Sequence, residues 1–165
     1  ADRFKLRAVF MDQRGTRYDE DLHTLEELGV LLPGAVIIAD NVLKPGSPLF
    51  LWRLAASRAY KTQVVSVKEF AMPSEDWMSV SLLCNSEQLL ATVVKPPEEP
   101  PGELVQMQWE SDRVRSQAVK MTGSVSYAEW TAYSEQMKER LEPFGIHATI
   151  DIADLVASEP EEAVQ

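Results

Sequence analysis

The sequence predicts an α/β domain with an antiparallel hairpin at one edge of its sheet, followed by a small acidic α+β extension. Within residues 1–83, short apolar runs and helix-period segments follow the order strand, helix, strand, helix, strand, strand. A proline-rich linker is predicted within residues 84–103, and the charge changes across it. Residues 1–83 carry 11 acidic and 10 basic side chains, whereas residues 84–165 carry 15 and 6. We therefore predict a nearly neutral domain over 1–83 and an acidic extension over 104–165.

The first three elements are predicted to form a strand–helix–strand unit. Residues 5–11 form an apolar run that ends at Asp12, which is typical of a buried strand. Leucines at helical spacing, with acidic residues in the first turn, predict a helix over 18–28. Residues 33–34 (Pro-Gly) are then interpreted as a turn. The continuous apolar run of residues 35–39 follows, as expected for a central strand buried on both faces.

A second helix and a hairpin complete the predicted sheet. Pro48 suits the first helical position and predicts a helix over 47–58. Strands are predicted over 62–70 and 77–83, and the loop between them has a length suited to a hairpin. These two strands supply the antiparallel edge.

The extension is predicted to hold one amphipathic helix and a short strand near its end. Ser126 and Glu129 form a capping box that opens this helix, which Pro143 ends. Alternating apolar residues predict a half-buried strand over 146–152. Residues 103–109 are interpreted as a further short strand, 111–121 as a short helix, and 158–162 as a loose acidic tail.

Composition excludes several classes of function. The net charge of -10 repels phosphate backbones and disfavours nucleic acid as a partner. Cys84 is the single cysteine, so neither an internal disulfide nor a cysteine metal cluster is expected. No apolar run approaches the ~20 residues that span a bilayer, and the first residues lack the apolar core of a signal peptide. Glycine-rich phosphate loops are also missing.

Oxygen-bearing side chains follow the two strands predicted to be parallel. Asp12 follows the first strand, and Asp40 and Asn41 follow the second. Ligands collect at the carboxyl ends of strands in an open parallel sheet, and three hard oxygen donors there could hold Mg²⁺ or Ca²⁺. The alternative is that these residues only begin loops.

Several segments resemble the C-terminal half of catechol O-methyltransferases. They are Arg17-Tyr18, residues 25–29 (Leu-Glu-Glu-Leu-Gly), Leu31-Leu32, and residues 39–42 (Ala-Asp-Asn-Val) with Pro45-Gly46 and Pro48. The resemblance covers roughly residues 4–83. It implies an incomplete form of the seven-stranded, Rossmann-like sheet of S-adenosylmethionine-dependent methyltransferases.

The resemblance also implies roles for individual residues. Asp12, Asp40 and Asn41 match the ligands of Mg²⁺. Glu69 matches a catalytic-site glutamate that holds the second hydroxyl of the catechol, and Pro45 matches a wall of the substrate pocket.

Two departures from the family bear on catalysis. Gly15 stands where the family has a lysine base, and Arg14 cannot replace it because a guanidinium does not deprotonate at working pH. The match also begins just before the family's fourth strand, so the strands that hold S-adenosylmethionine are expected to be missing. We therefore expect no S-adenosylmethionine binding by the isolated chain, while Mg²⁺ remains a candidate ligand.

Three functions are carried forward from the sequence. The first is a non-catalytic, methyltransferase-like accessory or structural subunit of a larger assembly, such as an organellar membrane complex with which the chain associates peripherally. The second is the C-terminal half of a Mg²⁺-dependent catechol-type O-methyltransferase that is active only with its cofactor-binding half. The third is a metal-binding module without catalysis. Other protein chains are the expected partners, and the sequence does not specify an organelle. We also expect the edge of the strand at 5–11 to be covered, either by residues 146–152 or by a neighbouring chain.

Overall fold

The computed structural model describes residues 4–68, 74–84, 99–120 and 125–151. Within them lie the strands β1 (Leu6–Met11), β2 (Leu31–Ala39), β3 (Tyr60–Lys68), β4 (Glu75–Leu83) and β5 (Ile150–Asp151). The α-helices of these residues are α1 (Tyr18–Glu27), α2 (Pro48–Ala56), α3 (Gly102–Lys120) and α4 (Tyr127–Leu141), with 3-10 turns at Gly15–Arg17 and Glu142–Phe144. None of the described helices is both long and apolar enough to cross a membrane.

The described strands form one mixed sheet in the order β1-β2-β4-β3-β5. β1 and β2 are parallel, and helix α1 makes the crossover between them. β4 runs antiparallel to both β2 and β3. The predicted α/β fold with an antiparallel hairpin is confirmed.

β2 is longer than its apolar run predicts. It begins at Leu31, so the turn predicted at residues 33–34 is wrong. The pairing with β1 shifts there: Leu6 lies opposite Leu31, but Ala8 already lies opposite Val36. The extra residues on β2 form a bulge, which tolerates a proline that has no N–H to donate to the ladder.

The hydrophobic core lies on one face of the sheet. Ile37 and Trp77 point into it and are buried together with Phe50 of α2. The alternate side chains of these strands point to the other face of the sheet, which no described helix covers. On that face, Phe10 is 60% and Leu82 43% exposed. Among the described residues, the helices therefore cover one face and leave an apolar second face open.

The short strand predicted over residues 103–109 is wrong. These residues belong to α3, which also contains the helix predicted over 111–121. The buried side chains of α3 are Leu104, Met107, Gln108 and Ser111. Their spacing of three, four and seven residues is the period of a helix packed along one side, so helical burial decides the structure here.

The capping box of α4 is confirmed. The Ser126 side chain accepts a hydrogen bond from the Glu129 N–H, and the Glu129 carboxylate accepts one from the Ser126 N–H at 2.7 Å. Met137 and Leu141 lie on the buried face of α4 and join the same core as Leu104. Both helices of the extension thus pack on the sheet domain.

β5 pairs with β3, at the edge of the sheet farthest from β1. The prediction that residues 146–152 cover the β1 edge is therefore wrong, and its alternative, a neighbouring chain, stays a prediction. Most of the predicted linker (85–98) and the predicted tail (158–162) lie outside the described residues.

Candidate functional site

Asp12 and Asp40 lie at the carboxyl ends of neighbouring parallel strands. Met11 is opposite Ala39 in the ladder, and the Asp40 N–H donates to the Met11 carbonyl at 3.0 Å. The residues that follow, Asp12 and Asp40, are therefore held side by side at one edge of the sheet. Asp12 is exposed and Asp40 is half-buried, so both are accessible from solvent. We call Asp12, Asp40 and Asn41 the oxygen-ligand edge.

Asn41 is fixed by its backbone and by its side chain. It adopts a left-handed conformation with φ of 54°, which asparagine tolerates better than most residues. Its N–H donates to Asp40 Oδ1 at 2.8 Å, and its side-chain Nδ2 donates to Asp76 Oδ2 at 3.0 Å. With the nitrogen engaged by Asp76, the amide oxygen is the atom left to act as a ligand.

Asp76 is a buried carboxylate that the sequence analysis did not single out. Its Oδ1 accepts hydrogen bonds from the N–H of Lys44 at 3.0 Å and from its neighbour Trp77 at 2.7 Å. Burial raises the pKa of Asp76 to about 6, although the hydrogen bonds from Asn41, Trp77 and Lys44 favour the charged form. The only sequence signal was an acid near the end of the hairpin loop, a common loop feature.

Tyr18 contacts the backbone of the oxygen-ligand edge from the buried core. It is fully buried, and its hydroxyl donates to the Asp40 carbonyl oxygen at 3.1 Å. Burial, together with the nearby charges of Asp12, Asp40 and Asp76, raises the pKa of Tyr18 to about 12. The phenol therefore stays protonated at neutral pH and acts as a hydrogen-bond donor, not as a base.

The three side chains carry the oxygen donors that a hard divalent cation prefers. Within the described residues, no group of three or more His, Cys, Asp or Glu side chains could hold a metal ion. A cation at the oxygen-ligand edge would thus depend on two carboxylates and the Asn41 amide oxygen, with water or substrate oxygens completing its shell. Mg²⁺ commonly binds proteins through few carboxylates and several waters.

Gly15 occupies the position that the resemblance gives to the lysine base, and neighbouring atoms leave little space there for a side chain. A Cβ atom on Gly15 would lie 3.1 Å from the Gly46 carbonyl oxygen and 3.6 Å from Ser47 Cβ. The neighbouring Arg14 is directed to α3, where its Nε donates to Asp112 at 3.0 Å. Neither residue offers a base to this site.

Gly15→Ala is expected to lower the free energy of unfolding by about 1–3 kcal/mol, the usual cost of overpacking a filled site. The close neighbour is a backbone carbonyl, which cannot swing away as a side-chain tip can. Urea denaturation measures the change. Gly102→Ala is the matched control, since a Cβ there meets nothing within 4 Å. Equal stabilities of Gly15→Ala and Gly102→Ala would show that the site has room.

The extension helices pack over the turn that follows Asn41, residues 42–46. The Tyr133 hydroxyl of α4 donates to the Pro45 carbonyl at 2.8 Å. A Cβ on Gly46 would lie 3.1 Å from Met137 Cε and 3.2 Å from Ser111 Oγ. Both α3 and α4 therefore contact the Pro45-Gly46 segment, which contains Pro45, the residue that the resemblance matches to a wall of the substrate pocket.

Lys44 lies in the same turn and is buried. Its Nζ donates to Ser74 Oγ at 2.7 Å and lies 5.9 Å from the centroid of the Trp130 ring. Glu69, the remaining candidate site residue, lies outside the described residues, so its role stays a prediction.

Comparisons with known proteins agree with the resemblance over part of the chain. A segment is 43% identical over 53 residues to catechol O-methyltransferase of Mus musculus, covering 32% of this chain and 20% of that protein. The catechol O-methyltransferase of Bos taurus is 51% identical over 43 residues, which cover 26% of this chain and 16% of that protein. Catechol O-methyltransferase B of Danio rerio is 41% identical over 54 residues, covering 33% and 20%. No protein-family model matches the chain.

Two solved structures are similar over about half of the chain. One is an O-methyltransferase of Bacillus cereus in complex with SAH, with a TM-score of 0.39 and 16% sequence identity. The other is a putative O-methyltransferase of Klebsiella pneumoniae, with a TM-score of 0.42 and 14% sequence identity. Each comparison covers 50% of this chain and 42% of the solved one. The sequence matches span about a fifth of the curated relatives. The chain thus carries a segment similar in sequence to catechol O-methyltransferases, within an α/β sheet.

Proposed function

We propose that this chain is a methyltransferase-like accessory module that keeps a divalent-cation site but does not itself catalyse methyl transfer. The observation that carries the proposal is the contrast at one edge of the sheet. The oxygen-ligand edge is held together by β1 and β2, whereas Gly15 and its close backbone neighbour leave no room for the lysine base at position 15.

Three hydrogen bonds support the cation site. The β1–β2 pairing brings the backbones of Asp12 and Asp40 side by side, Asp40 is fixed through its N–H, and Asn41 is fixed through both its N–H and its amide nitrogen. Preorganised ligands bind a cation without a large ordering cost. The cation would offset the charge of two adjacent carboxylates and orient an oxygen-bearing ligand at this edge.

The glycine at the position of the lysine base supports a non-catalytic role. A positioned general base typically contributes about 10²–10⁴-fold to a reaction of this kind. Arg14 is ion-paired with Asp112, and the Tyr18 hydroxyl donates a hydrogen bond to the Asp40 carbonyl. Lys44 is buried, and its ammonium group donates to Ser74.

The open face of the sheet supports a role within a protein assembly. Phe10 and Leu82 lie on the face that no described helix covers, and β1 is an edge strand among the described residues. In the fold that the resemblance implies, a further strand pairs with this edge. We propose that the first half of a methyltransferase-like sheet, on the same polypeptide or on another, pairs with β1 and covers Phe10.

A second function is favoured by one observation. Asp12, Asp40 and Asn41 keep all three residue types that the resemblance gives to the Mg²⁺ ligands, as expected for the acceptor-binding half of a Mg²⁺-dependent O-methyltransferase. In this alternative, adding a cofactor-binding half would produce methyl transfer to a catechol. A methyl-transfer assay with Mg²⁺, S-adenosylmethionine and a catechol separates the two. The accessory role predicts no product with or without the added half.

Asp40→Asn is expected to weaken Mn²⁺ binding at least about tenfold, because it removes a charged ligand. Mn²⁺ is the probe, and its free concentration is measured by electron paramagnetic resonance. Glu27→Gln, which neutralises an exposed carboxylate on α1, is the matched control and should leave the affinity within about twofold. Equal losses in the two variants would mean that Mn²⁺ responds only to net charge, and the cation site would be wrong.

A further inference from the structure

We propose that Asp76 is a positioning residue for Asn41: its carboxylate holds the Asn41 amide so that the oxygen is the atom presented at the oxygen-ligand edge. Nothing in the resemblance assigns a role to Asp76. The inference rests on the cation site proposed above, and its test includes a measurement that does not depend on that site.

The hydrogen bond from Asn41 to Asp76 has a defined direction. An ionised carboxylate only accepts hydrogen bonds, and the amide group has one accepting and one donating end. The amide therefore meets Asp76 with Nδ2, at 3.0 Å from Oδ2. The opposite orientation would put two oxygens in contact. The chemistry of Asp76 thus selects one of two amide rotamers, and that rotamer is the one a cation requires.

The carboxylate of Asp76 is itself held in place. Asp76 is fully buried, and its Oδ1 accepts hydrogen bonds from the N–H groups of Lys44 and Trp77. Lys44 is three residues beyond Asn41, and Trp77 lies in β4, which pairs with β2. Asp76, which itself lies in β4, therefore connects the turn that follows Asn41 to the sheet.

If Asp76 had only a structural role, Asp76→Asn would leave the oxygen-ligand edge unchanged, because the substitution keeps most of the contacts of this side chain. An asparagine at position 76 keeps the volume, and its amide oxygen can still accept from Lys44 and Trp77. It also brings its own N–H groups toward Asn41, so it no longer excludes the reversed amide. Asp76→Asn should consequently preserve the fold and disturb the oxygen-ligand edge.

The first measurement is Mn²⁺ affinity in a double-mutant cycle on the full chain. Asp76→Asn is expected to weaken Mn²⁺ binding about 10–100-fold, the usual effect of losing a group that orients a metal ligand. In the Asn41→Ala background, the same substitution should change the affinity less than about threefold, because Asp76 acts through Asn41. Equal losses in both backgrounds would overturn the proposal and assign the effect to the charge of Asp76.

The second measurement is hydrogen exchange of the Asn41 side-chain amide, followed by NMR without any metal. Protection is expected in the unsubstituted chain and in Ser74→Ala, whose hydroxyl contacts Lys44 and not Asn41. Protection should be lost in Asp76→Asn. Rapid exchange in the unsubstituted chain would overturn the proposal even if Asp76→Asn failed to fold. A chain that binds no Mn²⁺ but protects this amide would contradict the cation site alone.

Discussion

Arg53→Met is expected to lower the free energy of unfolding by about 3–5 kcal/mol, because it leaves a buried carboxylate without its cation. The Arg53 guanidinium donates to Glu26 Oε2, and the Tyr60 hydroxyl donates to Glu26 Oε1 at 2.6 Å. Arg53 also reaches Asp19 at 3.4 Å and lies 3.3 Å from His23 Nδ1. The cluster connects α1, α2 and β3, so its loss affects the packing of helices on the sheet.

The pH dependence of the unfolding free energy of Arg53→Met tests whether the unpaired Glu26 carboxylate causes the loss of stability. Burial raises the pKa of Glu26, while Tyr60, Arg53 and His23 act in the opposite direction. A carboxyl whose pKa is raised on folding binds its proton more tightly in the folded state, so stability falls as pH rises through that pKa. Without Arg53, the pKa rises further, and the destabilisation should be smallest in acid and largest at neutral pH.

Urea denaturation at several pH values measures both effects. The double variant Glu26→Gln, Arg53→Met removes the unpaired charge and should recover part of the lost stability at neutral pH. A loss that is independent of pH and is not reduced in the double variant would contradict the account of this cluster.

Leu104→Ala is expected to cost about 2–5 kcal/mol of unfolding free energy, as large-to-small substitutions in a core do. Leu104 is fully buried although it lies in the extension, beyond the predicted linker. Trp109→Ala is the control on the same helix, since Trp109 is 73% exposed, and it should change stability little. Thermal unfolding should remain a single transition for both variants. Two separate transitions, with Leu104→Ala shifting only one, would show that α3 belongs to an independent unit.

The sequence predicts the parallel β1–β2 unit and its polar strand ends. The burial predicted for the strands at 5–11 and 35–39 is wrong on one face, which no described helix covers and where Phe10 is 60% exposed. Short, mainly apolar runs ending at Asp12 and Asp40 are a local signal, and parallel pairing then places both ends together. The cap of α4 is equally local, since Ser126 and Glu129 satisfy each other's donors. Features of this kind are encoded within a few residues of chain.

Other features depend on contacts between distant residues. Asp76 contacts Asn41 across 35 positions of sequence, and no local pattern distinguishes it from an ordinary loop acid. The local pattern predicts a strand and then a helix where the structure has the single helix α3. Its burial against α2 and the turn at residues 42–46 selects the helix. β5 pairs with β3 and not with β1, a contact between residues 85 positions apart (Val65 and Ile150).

The most direct test of the retained cation site is Mn²⁺-induced broadening in the NMR spectrum of the full chain. The account predicts that, at low Mn²⁺, the amide signals of Asp12, Asp40 and Asn41 broaden first, and that Asp40→Asn removes this effect. Broadening that starts instead at exposed carboxylates of α4, such as Glu135 and Glu139, and is unchanged in Asp40→Asn would contradict it.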